Sequence, residues 1–234
     1  MKKLHIVQRP PLRVLAAVIC AVLTLGLTAA SAQVYSPPPT YVVPAYVPYS
    51  GNDLGFYFNG DVGPSFMPDF QSSRFGGPPT SFSAHPGVRF DGEPGFNFLA
   101  AGPLTLGGEF ETGVIYNRLY SINEAGLPIS SRGDFYQVPL LGNLMLRIHT
   151  DSLVVPYIGI GGGGDASWAR VLSPGFGFET RSEVDPAAQA MGGVRFQIAP
   201  NVDVGVGYKF LATFPSEGRY FATHAASFTF TFRF

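Results

Sequence analysis

The sequence predicts an all-β protein, an antiparallel transmembrane β-barrel of about eight strands over residues 53–234. Three observations predict it. The chain opens with an export signature. It ends on a strand of alternating Phe. Between the two, apolar and polar residues alternate in segments long enough to cross a membrane.

Lys2, Lys3, Arg9 and Arg13 form a basic start, and an apolar run follows from Val14 to Leu27. Ala30-Ser31-Ala32 is a small-x-small cleavage pattern, so residues 1–32 read as a signal peptide cut between Ala32 and Gln33. The rival reading is a helical anchor. A spanning helix needs about 20 apolar residues, and this run is shorter. Cys20 follows Ile19 where a lipoprotein signal wants a small residue, and it is the chain's single Cys. Its removal leaves no disulfide and no Cys-based metal site. Cleavage takes four basic and no acidic residues from 15 Lys+Arg and 16 Asp+Glu, leaving a formal charge of −5. Such a balance argues against nucleic acid as a partner.

Residues 33–52 are rich in Pro and Tyr and read as a periplasmic lead-in, with a docking peptide as the alternative. Eight strands follow. The first, 55–66, sets Phe56, Phe58 and Val62 against Tyr57, Asn59 and Asp61. The second, 86–99, sets Val88, Phe90, Phe96 and Phe98 against Arg89, Asp91, Glu93 and Asn97. The third, 104–118, sets Leu104, Leu106, Phe110, Val114 and Tyr116 against Thr105, Glu109 and Glu111. The fourth, 135–149, opposes Leu140, Leu144, Leu146 and Ile148 to Asn143, Arg147 and His149. The fifth, 154–168, is interrupted by Gly161 to Gly164. The sixth, 187–198, opposes Val194, Phe196 and Ile198 to Arg195 and Gln197. The seventh, 202–212, opposes Val202, Val204, Val206, Tyr208 and Phe210 to Asp203 and Lys209. The eighth, 221–234, carries Phe228, Phe230, Phe232 and Phe234.

The connections alternate in length. Long ones fall at 67–85, 119–134, 169–186 and 213–220, and short ones at 100–103, 150–153 and 199–201. Outer-membrane barrels have long outer loops and short periplasmic turns, and this parity keeps both termini in the periplasm. A segment of alternating Phe at the end of a water-soluble chain would invite aggregation, whereas in a bilayer it faces lipid.

Several segments carry a family likeness: Gly95-Phe96-Asn97-Phe98, Gly108-Glu109-Phe110-Glu111-Thr112-Gly113, Val155-Pro156-Tyr157-Ile158-Gly159-Ile160-Gly161, Val206-Gly207-Tyr208-Lys209-Phe210, and the Phe-rich end. With these the chain resembles the small outer-membrane β-barrels that include OmpA-like and opacity-type surface proteins. The resemblance implies an eight-stranded barrel in the outer membrane of a Gram-negative-type bacterium. It implies little about activity, since such proteins include structural proteins, adhesins and antigens. It also implies that Phe228, Phe230, Phe232 and Phe234 serve as the signal read by the barrel-assembly machinery. No peptidoglycan-binding domain is expected after the barrel. The expected partners are outer-membrane lipids, that machinery, and surface or host molecules met by the loops.

The predicted lumen holds Asp61, Asp91, Glu93, Glu109, Glu111 and Asp203 against Arg89, Arg147, Arg195, Lys209 and Arg233. Eight strands leave a bore that side chains just fill, so these residues read as an interlocking plug, with a narrow charged pore as the alternative. Glu109 and Glu111 share a face, roughly 7 Å apart, but no sugar cleft accompanies them. His224 and Ser227 differ by three and so point to opposite faces, unlike the strand-borne Ser–His of lipid-A deacylases. The remaining His residues have no metal spacing, and Gly161 to Gly164 lack the Lys-Ser/Thr of a phosphate loop. Trp168, Tyr116, Tyr120, Tyr136 and Tyr208 are candidates for the interfacial girdles. The expectation is therefore a structural or surface-exposed barrel without catalysis, cofactor or metal. A narrow channel is the alternative, with a lipid-A-modifying enzyme behind it. A soluble lipocalin-like barrel is the structural rival.

Overall fold

The computed structural model describes residues 54–72, 80–124, 127–129, 133–150, 152–173, 177–216 and 220–234. The expected signal peptide, its cleavage point and the lead-in lie outside the described residues. Strands β1 (Gly55–Phe66), β4 (Gly87–Ala101), β5 (Leu104–Glu124), β7 (Gly133–Ile148), β8 (Val154–Ser173), β9 (Gly177–Ala199), β10 (Val202–Thr213) and β11 (Phe221–Arg233) form the wall. Each pairs antiparallel with its neighbour. β1 pairs with β11, from Tyr57 opposite Arg233 to Phe66 opposite His224. That last pairing closes the ring. A closed antiparallel ring leaves the spanning backbone no unpaired edge, which is what a bilayer demands.

The alternation read from sequence sets the two surfaces. Outside, Phe56, Phe90, Phe96, Phe110, Leu144, Ile160, Val206 and Phe228 are exposed. Inside, the polar partners on the same strands are buried. A water-soluble lipocalin-like barrel would invert this arrangement. The outward run on β5 from Leu104 to Tyr116, at about 3.3 Å per residue and about 40° of tilt, rises roughly 30 Å along the axis. That height matches a bilayer core and its interfaces.

The hairpin turns at one end are tight. β4 and β5 join through Gly102-Pro103, with Ala101 opposite Leu104. Gly102 has φ +58°, the positive φ that a two-residue hairpin of the primed type places at its first central position. β9 and β10 join through Pro200-Asn201.

The opposite end corrects the sequence reading. Where described, segments 119–134 and 169–186 are largely strand, not loop, and segment 67–85 is strand at 70–72 and 80–84. β5 continues to Glu124, β8 to Ser173, and β9 begins at Gly177. The short strands β2 (Phe70–Ser72), β3 (Thr80–Ala84) and β6 (Leu127–Ile129) extend the hairpins further, with β3 and β6 both paired to β5. Polar composition hid these strands, because above a membrane the outer face no longer has to be apolar. The rim is uneven: β10 stops at Thr213, while the β8–β9 ladder runs on to Ser173 opposite Gly177.

Candidate functional site

Period-two geometry aims alternate residues into the lumen. β1 contributes Tyr57, Asn59 and Asp61, and β4 contributes Arg89, Asp91, Glu93 and Asn97. Glu109 and Glu111 come from β5, Asn143 and Arg147 from β7, Gln189 and Arg195 from β9, and Lys209 from β10. All are buried.

At the centre, the Lys209 ammonium lies 2.7 Å from Asp61, 3.2 Å from Asp91 and 3.5 Å from Glu111, and it contacts Glu93. Arg89 pairs through Nε with Asp91 at 2.5 Å, contacts Glu111, and donates to Gln189 Oε1 at 2.8 Å. Glu111 also accepts from Asn143 at 2.8 Å and from Gln189 at 2.6 Å. On the turn side of this group, Glu109 accepts from Arg147 at 2.8 Å, Tyr57 at 2.9 Å and Asn59 at 2.7 Å. Arg147 lies over the Tyr57 ring at 4.2 Å and donates to Asn97. Arg195 covers the Tyr157 ring at 4.6 Å, with Glu109 3.9 Å away. Arg233 and Asp203 form a separate pair at the turn end, two-pronged at 2.7 and 2.9 Å. The charges read from sequence thus divide into one connected net and a clamp at the turn end.

Sequence reasoning set Tyr57, Asn59, Asn97 and Asn143 on the inward face without naming them as members of the net, and it gave no face to the other uncharged members, Gln189 and Tyr157. All six lie in phase with the named charges, so strand parity was the signal that could have found them. It also missed a second polar layer. Asp165 accepts from Gln137 at 2.7 Å and Thr213 at 2.8 Å, and Gln137 in turn accepts from Thr223. Asp185 lies opposite Asp165 in register, in a stretch read as loop. Apolar layers alternate with the polar ones. Ile115, Leu141, Ala187 and Leu211 form one; Met67, Phe82, Leu119, Phe135 and Phe221 form another toward the hairpin end.

Glycines seat some of this packing. Tyr57 stands opposite Gly95 in the β1–β4 ladder, and a Cβ at Gly95 would meet the Tyr57 ring at 2.3 Å. Gly95→Ala is expected to push that ring off Glu109 and Arg147 and to cost about 1–3 kcal/mol, measured by urea unfolding of the refolded barrel.

The arrangement ties its ionisable groups to one another. Asp61, Asp91 and Glu93 bring carboxyl oxygens within 4.8 Å of one another, and the Lys209 ammonium contacts all three. Both Glu109 and Glu111 are held by cationic donors, not paired with each other. Ser227 faces the lumen, while His224 is on the outside against Tyr208 and Phe210.

The outer wall has its own order on β5, β7 and β8. Tyr116, Tyr136 and Trp168 are cross-strand neighbours, with ring centroids 5.0 and 5.5 Å apart and the second pair stacked at 15°. One step further toward the hairpins, Arg118, Asp134 and Arg170 form the next outward row. Tyr116 donates to Asp134 at 2.9 Å. Tyr120 packs on His85 at 4.5 Å, and Tyr208 on His224 at 6.0 Å.

No family model and no curated protein matches the chain. Among solved structures, it is similar to Neisserial surface protein A, with 18% identity over 77% of this chain and 97% of that chain, TM-score 0.49. It is similar to Ail, the attachment invasion locus protein of Yersinia pestis, at 14% identity over 76% and 100%, TM-score 0.40. The outer membrane protein OprG from Pseudomonas aeruginosa gives 13% identity over 79% and 99%, TM-score 0.47.

Proposed function

We propose that this protein is an outer-membrane barrel with a structural and surface-exposed role, sealed along its lumen and presenting its raised hairpins outside the cell. The observation that carries the reading is the stack of side-chain layers inside the ring. A connected charge net, an apolar layer, a polar layer and a second apolar layer follow one another from turn end to hairpin end. Ions crossing such a bore would have to break buried pairs and displace apolar side chains, both costly. The wide, uneven rim above the membrane is the part free to meet other molecules.

Two measurements test this. In planar bilayers the refolded barrel is expected to give no discrete conductance steps. Regular openings would replace the sealed reading with the narrow-channel alternative. Cells displaying the protein are expected to attach to host-cell or matrix surfaces less well when the β8–β9 hairpin is shortened above Arg170. Equal attachment would remove the surface-contact role and leave the structural one.

A further inference from the structure

Above the aromatic row the closed ring gives way to an open sheet. β10 stops at Thr213 and β11 begins at Phe221, while β8 and β9 pair on to Ser173 opposite Gly177. The raised strands follow the order β2, β3, β5, β7, β8, β9. An open sheet has two edges, and each edge strand presents unpaired N–H and C=O groups. Here the two edges differ. β2 is blunted by its length of 3 residues. β9 is not: from Phe178 to Asp185 its only partner among the described strands is β8, and neither a Pro nor a register shift interrupts the run.

One bond fixes which groups are free. The Phe214 N–H donates to the Pro186 carbonyl at 2.8 Å, one step past the Thr213–Ala187 pair that ends the β9–β10 ladder. Pro186 therefore turns its carbonyl to the β10 side. Backbone groups along a strand alternate sides residue by residue. Val184, Ser182, Thr180 and Phe178 then turn both N–H and C=O to that side, above the point where β10 ends. At about 3.3 Å per residue the line is roughly 20 Å long.

The line selects its occupant. Donors and acceptors repeating at every second residue are matched by another extended main chain, and a lipid or a glycan has no such repeat. The chain itself does not supply that strand. It reaches Gly55 at the turn end of β1, the opposite end of the barrel, and residues 214–220 must join β10 to β11. A second copy in the same membrane does not supply it either. The axis relating the two copies would lie along the membrane normal, so strands tilted by about 40° would cross at about 80° and form no ladder. The lower end of the edge is apolar. Val184, Phe214 and Tyr220 are exposed there, and the two rings stand 6.3 Å apart.

We infer that the raised edge of β9 is a docking site for an extended peptide of another protein, which adds as a strand antiparallel to β9 along the continuation of β10. The residues that face β9 need free N–H groups, so the peptide is poor in Pro. Its N-terminal end lies at the membrane side and carries a bulky apolar residue against Val184, Phe214 and Tyr220. The inference rests on the surface-contact reading above and names the partner of that surface.

The test is fluorescence anisotropy of a labelled peptide of alternating Thr and Val with Tyr at its N-terminal end. It is titrated with the barrel refolded in zwitterionic micelles. Saturable binding is expected, and the same peptide N-methylated throughout is expected not to bind. Thr180→Pro/Ser182→Pro removes two edge donors and leaves the β8 ladder, whose bonds come from the odd-numbered residues. It is expected to weaken binding about tenfold or more while still shifting on gels when boiled. Thr180→Ala/Ser182→Ala keeps the donors and is expected to bind like wild type. Absent wild-type binding, equal binding of the N-methylated peptide, a proline pair that binds like wild type, or an alanine pair that loses as much overturns the main-chain assignment. Clumping of barrel-bearing vesicles that the proline pair abolishes and the peptide does not compete replaces the foreign peptide with a second copy in a facing membrane. None of these titrations depends on cell attachment, so their failure is distinct from failure of the surface-contact reading, which the attachment assay reads.

Discussion

Lys209→Met is expected to destabilise the folded barrel by about 3–5 kcal/mol, the scale for leaving buried charges without their partner. The ammonium contacts four carboxylates, from Asp61, Asp91, Glu93 and Glu111. Arg89 still serves Asp91 and Glu111 when it is gone. Glu93 keeps only the longer bond donated by Asn59, at 3.3 Å, among its recorded partners. Unfolding in urea, followed through Trp168, gives the loss. Adding Glu93→Gln to Lys209→Met removes one of the stranded anions and is expected to recover about 1–3 kcal/mol. A single variant within about 1 kcal/mol of wild type would mean that water reaches these carboxylates, and with it that the lumen is open.

Phe230→Arg is the second large effect, about 2–4 kcal/mol when the barrel is folded in lipid vesicles. Phe230 stands on the outer face of β11, opposite Gly60 on β1 and Val204 on β10, and is 45% exposed. An arginine there must be carried into hydrocarbon. Phe234→Arg, one residue past the turn end of that strand, is expected to cost about 0–1 kcal/mol because the side chain reaches the interface. The contrast is the informative quantity. Equal costs at the two positions would mean that the Phe face does not lie against a bilayer.

Much of the wall was legible because a membrane imposes period two on both surfaces at once. Phe90 beside Arg89 and Asp91, or Lys209 between Tyr208 and Phe210, leaves little choice of face. Legibility failed where that constraint lapses. Above the aromatic row, β5 beyond Tyr120 runs Ser121-Ile122-Asn123-Glu124 and β9 opens with Glu179-Thr180-Arg181-Ser182-Glu183, without the apolar alternation of the lower wall, and the sequence there reads as loop. It weakened again in β8, where Gly161 to Gly164 erase the alternation although the ladder runs through unbroken, from Leu140 opposite Gly164 to Asn143 opposite Gly161. The ionic members of the lumen were readable as inward-facing charges. Their partition was not: whether Arg233 joins Lys209 or Asp203 depends on height within the barrel, which parity does not encode. The neutral partners, Tyr57 and Gln189 among them, have no charge to betray them.

Several of the lumen contacts join strands that are not neighbours in the wall. Arg89 on β4 reaches Gln189 on β9, and Lys209 on β10 reaches Asp91 on β4. These contacts arise only once β1 has met β11 and the cylinder exists. They are therefore absent from a transition state in which the seam is still open, and they act on escape from the native state more than on arrival. Lys209→Met should accelerate unfolding while leaving the folding rate nearly unchanged, so that the charged core functions as a latch whose worth is measured in the lifetime of the assembled cylinder.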